Sequence, residues 1–168
     1  MNPIRRITPL LVVVGLLFAT FASPVGAAQE PLLKSEHRVV YQYEEQFDFA
    51  LESVEMAITN RGMVINNVAH IADMLARTAA DVGGDAVYED GRALEFCSAR
   101  ISRATMEADI HNIVFCPYII AVYTVADEPG QVFISYRRPA IIGDADSRAA
   151  LQQVEDLLEE IAQEAMAF

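Results

Sequence analysis

Basic residues are scarce in this sequence: 12 Lys and Arg stand against 24 Asp and Glu, a formal net charge of −12. Binding to nucleic acid or anionic lipid rests on clustered cations, so this balance excludes nucleic-acid partners. Long apolar runs are missing beyond residue 28. Charge interrupts each of them within about a dozen residues, where a bilayer crossing takes roughly 20. No stable membrane insertion is therefore expected once the N-terminal segment is removed. Cysteine occurs twice, at Cys97 and Cys116. It never occurs as Cys-x-x-Cys, which excludes a thioredoxin-like pair and a covalent c-type haem, and the spacing is not that of a zinc ribbon. Gly-x-Ser-x-Gly, His-Glu-x-x-His and a phosphate loop are also missing, so the common hydrolase, metalloprotease and nucleotide signatures do not apply. A protein that is not an enzyme is expected.

What is present begins with a leader. Arg5 and Arg6 precede an apolar stretch from Leu10 to Ala22, and Ser23-Pro24-Val25-Gly26-Ala27-Ala28 supplies small residues for cleavage. This is the pattern of a secretory signal peptide over residues 1–28, cut after Ala27 or Ala28. The apolar stretch is short for a membrane anchor, and no Cys follows it for lipid attachment. A periplasmic or secreted location is expected. Removing Arg5 and Arg6 with the leader leaves ten basic residues against 24 acidic, a charge near −14. About 140 residues remain, enough for one domain with a substantial core. No repeat or Pro/Ser-rich linker divides them.

Periodicity outlines the elements. Arg38 to Tyr43 is β-branched and aromatic and predicts a strand. Phe47, Leu51, Val54 and Ile58 share one helical face, and Gly62 suits the left-handed residue beyond a helix end. Met63 to Val68 reads as a second strand and His70 to Val82 as a second helix. Asp90-Gly91 reads as a turn before a strand from Ala93 to Cys97, and Ser98 as the N-cap of a helix reaching Asp109. Tyr118 to Val125 is apolar on both faces and predicts a central strand entered at Pro117. Asp127-Glu128-Pro129-Gly130 makes a turn to a hairpin strand, Gln131 to Arg137. From Asp146 to Phe168 an amphipathic helix carries Leu151, Val154, Leu158 and Ile161 on one side, with Glu155, Asp156, Glu159 and Glu160 assigned to its outer face. The expected class is α+β: a small mixed or antiparallel β-sheet with helices packed on one face, plus a C-terminal amphipathic helix.

Several stretches, in this order and spacing, resemble the DUF302 family of small α+β domains. They are Phe47-Asp48-Phe49-Ala50-Leu51, Gly62-Met63-Val64-Ile65, His70, Leu94-Glu95-Phe96, Pro117, Ile119-Ile120-Ala121-Val122-Tyr123 and Val132-Phe133-Ile134-Ser135-Tyr136-Arg137-Arg138-Pro139. The resemblance is firmest from His70 to Pro139. It implies a DUF302-like domain over residues 29–143, followed by a helix over residues 144–168 outside the resemblance. The cysteines mark the chain as similar to an exported, cysteine-bearing branch. The resemblance implies a compact, self-associating domain, here a homodimer, and transfers no catalytic residue.

Cys97 and Cys116 are the first candidates for chemistry. In an exported protein an even cysteine count suggests a disulfide. A right-handed crossover between parallel strands would instead hold them too far apart. The alternatives are two inert buried thiols, or a soft site for copper, zinc or haem iron formed with His70 or His111 and Met63 or Met106. Cys97 lies just before a helix N-terminus, which favours thiolate. His70 falls between a strand and a helix and is a ligand candidate or a hydrogen-bonded helix start. His37 and His111 read as solvated arm and loop. Arg137 and Arg138 are candidate contacts for an anion such as a carboxylate or sulfur oxyanion. Glu44-Glu45 and Glu159-Glu160 read as solvated surface. Three functions follow. The first is an accessory module holding a small ligand or soft metal near His70, Cys97 and Cys116. The second is a thiol-based redox or sulfur-handling protein. The third is a structural interaction domain with Cys97–Cys116 bonded.

Overall fold

The computed structural model describes residues 28–168; the predicted signal peptide lies, but for Ala28, outside the described residues. Six strands form one antiparallel sheet: β1 (Leu33–Lys34), β2 (Arg38–Tyr43), β3 (Ile65–His70), β4 (Tyr88–Phe96), β5 (Tyr118–Val125) and β6 (Val132–Arg137). Their spatial order is β1-β2-β6-β5-β4-β3, so β3 to β6 make a meander and β2 closes against β6. The helices are α1 (Phe47–Thr59), α2 (Ile71–Val82), α3 (Ala99–Ala108) and α4 (Ala145–Ala165), with a 3-10 segment at Ile110–Phe115. The α+β class holds, and the sheet is antiparallel throughout.

Alternation along the strands separates two faces. Val39, Tyr41 and Tyr43, Leu94 and Phe96, Tyr118, Ile120 and Val122, and Val132, Ile134 and Tyr136 face the main core. Helices α1 and α4 cover that face with Ala50, Val54 and Ile58, and with Val154, Leu158 and Ile161. Helix α2 departs from the expected single-faced arrangement. A Cβ on Gly91 would stand 3.6 Å from the Ala72 Cβ and 3.8 Å from the Tyr123 Cβ, so α2 begins over the opposite face.

Local chemistry sets the element ends. The Ser98 hydroxyl accepts from the Ile101 amide and Asp144 from the Ser147 amide, capping α3 and α4. Gly62 (φ 72°) and Gly130 (φ 84°) take the left-handed turns after α1 and between β5 and β6. Asp90-Gly91 is not a turn: β4 runs through it, with Glu89 as the extra residue between the pairs Tyr88/Val125 and Asp90/Thr124. The Asp90 amide donates to the Thr124 hydroxyl at 2.9 Å, which holds the strand where a turn dipeptide alone would let it leave. Strand β3 begins two residues later than expected and ends on His70.

The acidic face expected of α4 is also corrected. Glu155 is buried and Glu159 half-buried, both turned toward the sheet. Arg138 Nε donates to Glu155 at 2.6 Å, and the Tyr41 and Tyr136 hydroxyls both donate to Glu159. Adjacent apolar rows on one helix left no room in the periodicity for carboxylates that reach across to partners on another element.

Leu158 is 1% exposed between α4 and the sheet. Leu158→Ala should lower stability by about 3 kcal/mol, within the range of buried leucine truncations, as read from urea denaturation. A loss under roughly 1 kcal/mol would show that α4 is not seated as described.

Candidate functional site

The antiparallel pairing decides where the sequence candidates go. Phe96 pairs with Tyr118, so the exit of β4 and the entrance of β5 are neighbours. Cys97 and Cys116 meet there as a disulfide with their Cα atoms 6.5 Å apart, and neither described cysteine is free. The parallel crossover that would have separated them does not occur. The bridge closes α3 and the 3-10 segment into one loop, a position suited to a staple.

His70 lies elsewhere. It pairs with Arg92, five residues from Cys97 along β4, roughly 15 Å at strand rise. Its Nδ1 is 3.1 Å from Asp73 Oδ2, and Asp73 in turn lies 3.5 Å from Arg92. The structure thus brings the two cysteines together and leaves His70 apart. Among the described residues no group of three or more His, Cys, Asp or Glu is placed to share a metal ion. His111 is exposed at the 3-10 segment and His37 in the N-terminal arm.

The arginines diverge. Arg138 turns inward to Glu155, which is the chief reason its pKa is raised further. Arg137 remains exposed on the opposite side of β6. Across the sheet it faces Arg38 of β2.

Beside Arg38 is the feature that the sequence did not disclose: a cavity of about 520 Å³ on the sheet face away from the main core. Its floor follows from register. Val40, Ser135 and Ala121 stand opposite one another across β2, β6 and β5 and line it. Small side chains there leave a trough. Phe133 and Tyr123 stack along one flank, centroids 5.3 Å apart, and Tyr88 meets Tyr123 edge-on at 5.5 Å. Leu32, Leu33 and Ile71 form the rims, with Arg38 and Glu128 among the lining residues. Burial raises the Tyr123 pKa, and the Tyr88 ring adds to this; the Ser135 hydroxyl and the Arg38 charge act the other way. The lining contains neither His nor Cys, and Glu128 is its only carboxylate. That arrangement suits holding an apolar body and provides no nucleophile with a base beside it.

The polar cluster around Glu159 is structural. Burial acts against the Glu159 charge, but hydrogen bonds from Tyr136, Tyr41 and Gln163 outweigh it and lower the pKa below the ordinary carboxylate value. Both phenols are raised by burial and then by Glu159. The result joins α4 to β2 and β6.

The family model described as "Domain of unknown function DUF302" matches residues 38–167, and so takes in α4 as well as β2 to β6. A solved structure, that of an uncharacterized conserved protein DUF302 from Bacillus stearothermophilus, is similar with a TM-score of 0.64. The match covers 76% of this chain and 97% of that one at 15% identity, a likeness of fold. No curated protein matches the chain.

Two outcomes follow from these contacts. The Glu159 pKa is depressed in the folded state, so its contribution is full above the unfolded value of about 4.3 and is lost as pH falls through the folded value. Urea midpoints of the wild type and Glu159→Gln, measured from pH 7 to pH 3, should therefore converge toward the acid end; a gap independent of pH would contradict the assignment. Replacing Cys97 and Cys116 together by Ser should cost about 3 kcal/mol, the loop-closure value for a ring of this size, in the same denaturation experiment.

Proposed function

The chain belongs to the DUF302 family, whose description assigns no function, and from its own site we propose that it is an exported, non-enzymatic module that holds a small molecule in the trough of its sheet. The trough carries this reading. Its volume of about 520 Å³ falls within the range of small-molecule sites, and its lining combines apolar and aromatic walls with few polar groups. Export is supported by the leader-like segment of residues 1–28 and by a disulfide of the kind that persists outside the reducing cytoplasm. The binding site therefore moves from the neighbourhood of His70, Cys97 and Cys116 to the face bounded by Val40, Ala121, Tyr123 and Phe133.

The neutral fluorescent probe N-phenyl-1-naphthylamine tests the site. It should bind the full mature chain saturably, with one site per protomer. Ala121→Phe fills the trough floor and should weaken that binding at least tenfold, or about 1.4 kcal/mol, while leaving the circular dichroism spectrum unchanged. No saturable binding, or equal binding by wild type and variant, would sink the proposal. A homodimer seated on this face is the competing occupant; sedimentation of a dimer that Ala121→Phe dissociates would replace the small ligand with a second copy of the chain.

A further inference from the structure

Arg38 and Arg137 are direct cross-strand partners in the β2–β6 register. Both lie on the trough face, because Val39 and Tyr136 beside them point into the core. Like charges directly opposite in an antiparallel pair repel one another, and a chain with 24 acidic residues has ample means to neutralise them. It does so elsewhere. Arg61, Arg92, Arg103 and Arg138 each form an ion pair; among the described residues Arg38 and Arg137 do not, nor do Arg77, Arg100 and Arg148, but only Arg38 and Arg137 stand directly opposite one another in the sheet. Two residues further along both strands, on the same face, Val40 and Ser135 begin the trough floor.

We propose that Arg38 and Arg137 form an anion-recognition pair, and that the trough takes an organic anion with a slender apolar body and one carboxylate or sulfonate head group. Two guanidinium forks side by side present enough N–H donors to satisfy both oxygens of such a head group. Binding removes the repulsion between the arginines, so the pair is worth more with the anion than without it. Polarity along the trough orients the ligand. Arg38, in the lining, and its cross-strand partner Arg137 mark one end; Arg92 on the β4 side is held by Asp73, and Glu128 lies in the turn beyond the far ends of β5 and β6, where it repels a negative group. The apolar body then lies against Tyr123 and Phe133. The inference rests on the trough being a ligand site and adds the chemistry of what occupies it.

Two probes with the same aromatic body separate the claims: neutral N-phenyl-1-naphthylamine and anionic 8-anilinonaphthalene-1-sulfonate. The anionic probe should bind about tenfold or more tightly than the neutral one, and added salt should weaken it selectively. Arg137→Gln should reduce the affinity for the anionic probe by about tenfold, the scale of one charge-assisted hydrogen bond, and leave the neutral probe within about twofold. Because the substitution relieves a like-charge pair, the thermal midpoint should stay level or rise. Arg38→Gln should behave in the same way. Equal affinities for the two probes, or an equal loss of both in Arg137→Gln, would overturn the anion pair while leaving the trough as a site. A lowered thermal midpoint in Arg137→Gln would make the arginines structural and also overturn it. Failure of both probes to bind the wild type would remove the trough reading itself.

Discussion

The seating of α4 across β2 and β6 is the interaction on which the other features depend. Val154, Leu158 and Ile161 supply the apolar contact. Glu159, held between Tyr41 and Tyr136, and Glu155, paired with Arg138, set the helix against particular strands. Buried Glu155 and half-buried Glu159, held by these partners, tolerate little sliding, since a shifted register would leave a desolvated charge unpaired. Gln29 extends the attachment: it exchanges two hydrogen bonds of 2.8 Å with Gln163 and so ties the N-terminal arm to the end of the same helix. With α1 and α4 on one side, the start of α2 is the helix that, among the described residues, reaches over the other side of the sheet.

That asymmetry gives the second face its character. A sheet with one covered face commonly turns polar residues to water on the other. Here the second face carries Val40, Tyr123 and Phe133 beside Ala93, Ala121 and Ser135. Large aromatic residues next to small ones create relief, and relief on an otherwise open face becomes a groove. The arginine pair lies at one end of this groove for the same geometric reason: strand alternation and register leave Arg38 and Arg137 no other side to occupy.

Antiparallel order also separates the disulfide from the trough. It brings Cys97 to Cys116 at one end of β4 and leaves His70 with Arg92 and Asp73 toward the other. The disulfide closes the helical excursion between two adjacent strands. The trough lies on the sheet face, and its lining contains no sulfur.

Much of the fold was legible because short-range chemistry determined it. Alternation in Arg38–Tyr43 and Tyr118–Val125, the Ser98 cap and the spacing of Leu151, Val154, Leu158 and Ile161 are local signals with local consequences. The Asp90-Gly91 dipeptide misled because pairing with β5, including the hydrogen bond from the Asp90 amide to the Thr124 hydroxyl 34 positions away, outweighed its turn preference. Glu159 misled because its partners, Tyr41 and Tyr136, lie on strands that periodicity within α4 cannot see. The sequence by itself determined the class, most elements, the acidic surface and the family. Tertiary structure alone decided that the cysteines meet, that His70 stands apart, and that Arg38 faces Arg137 beside a trough. Those facts depend on strand order and register, which bring together residues 19 positions apart at the disulfide and 99 apart at Arg38 and Arg137 and leave no mark in the spacing of either one.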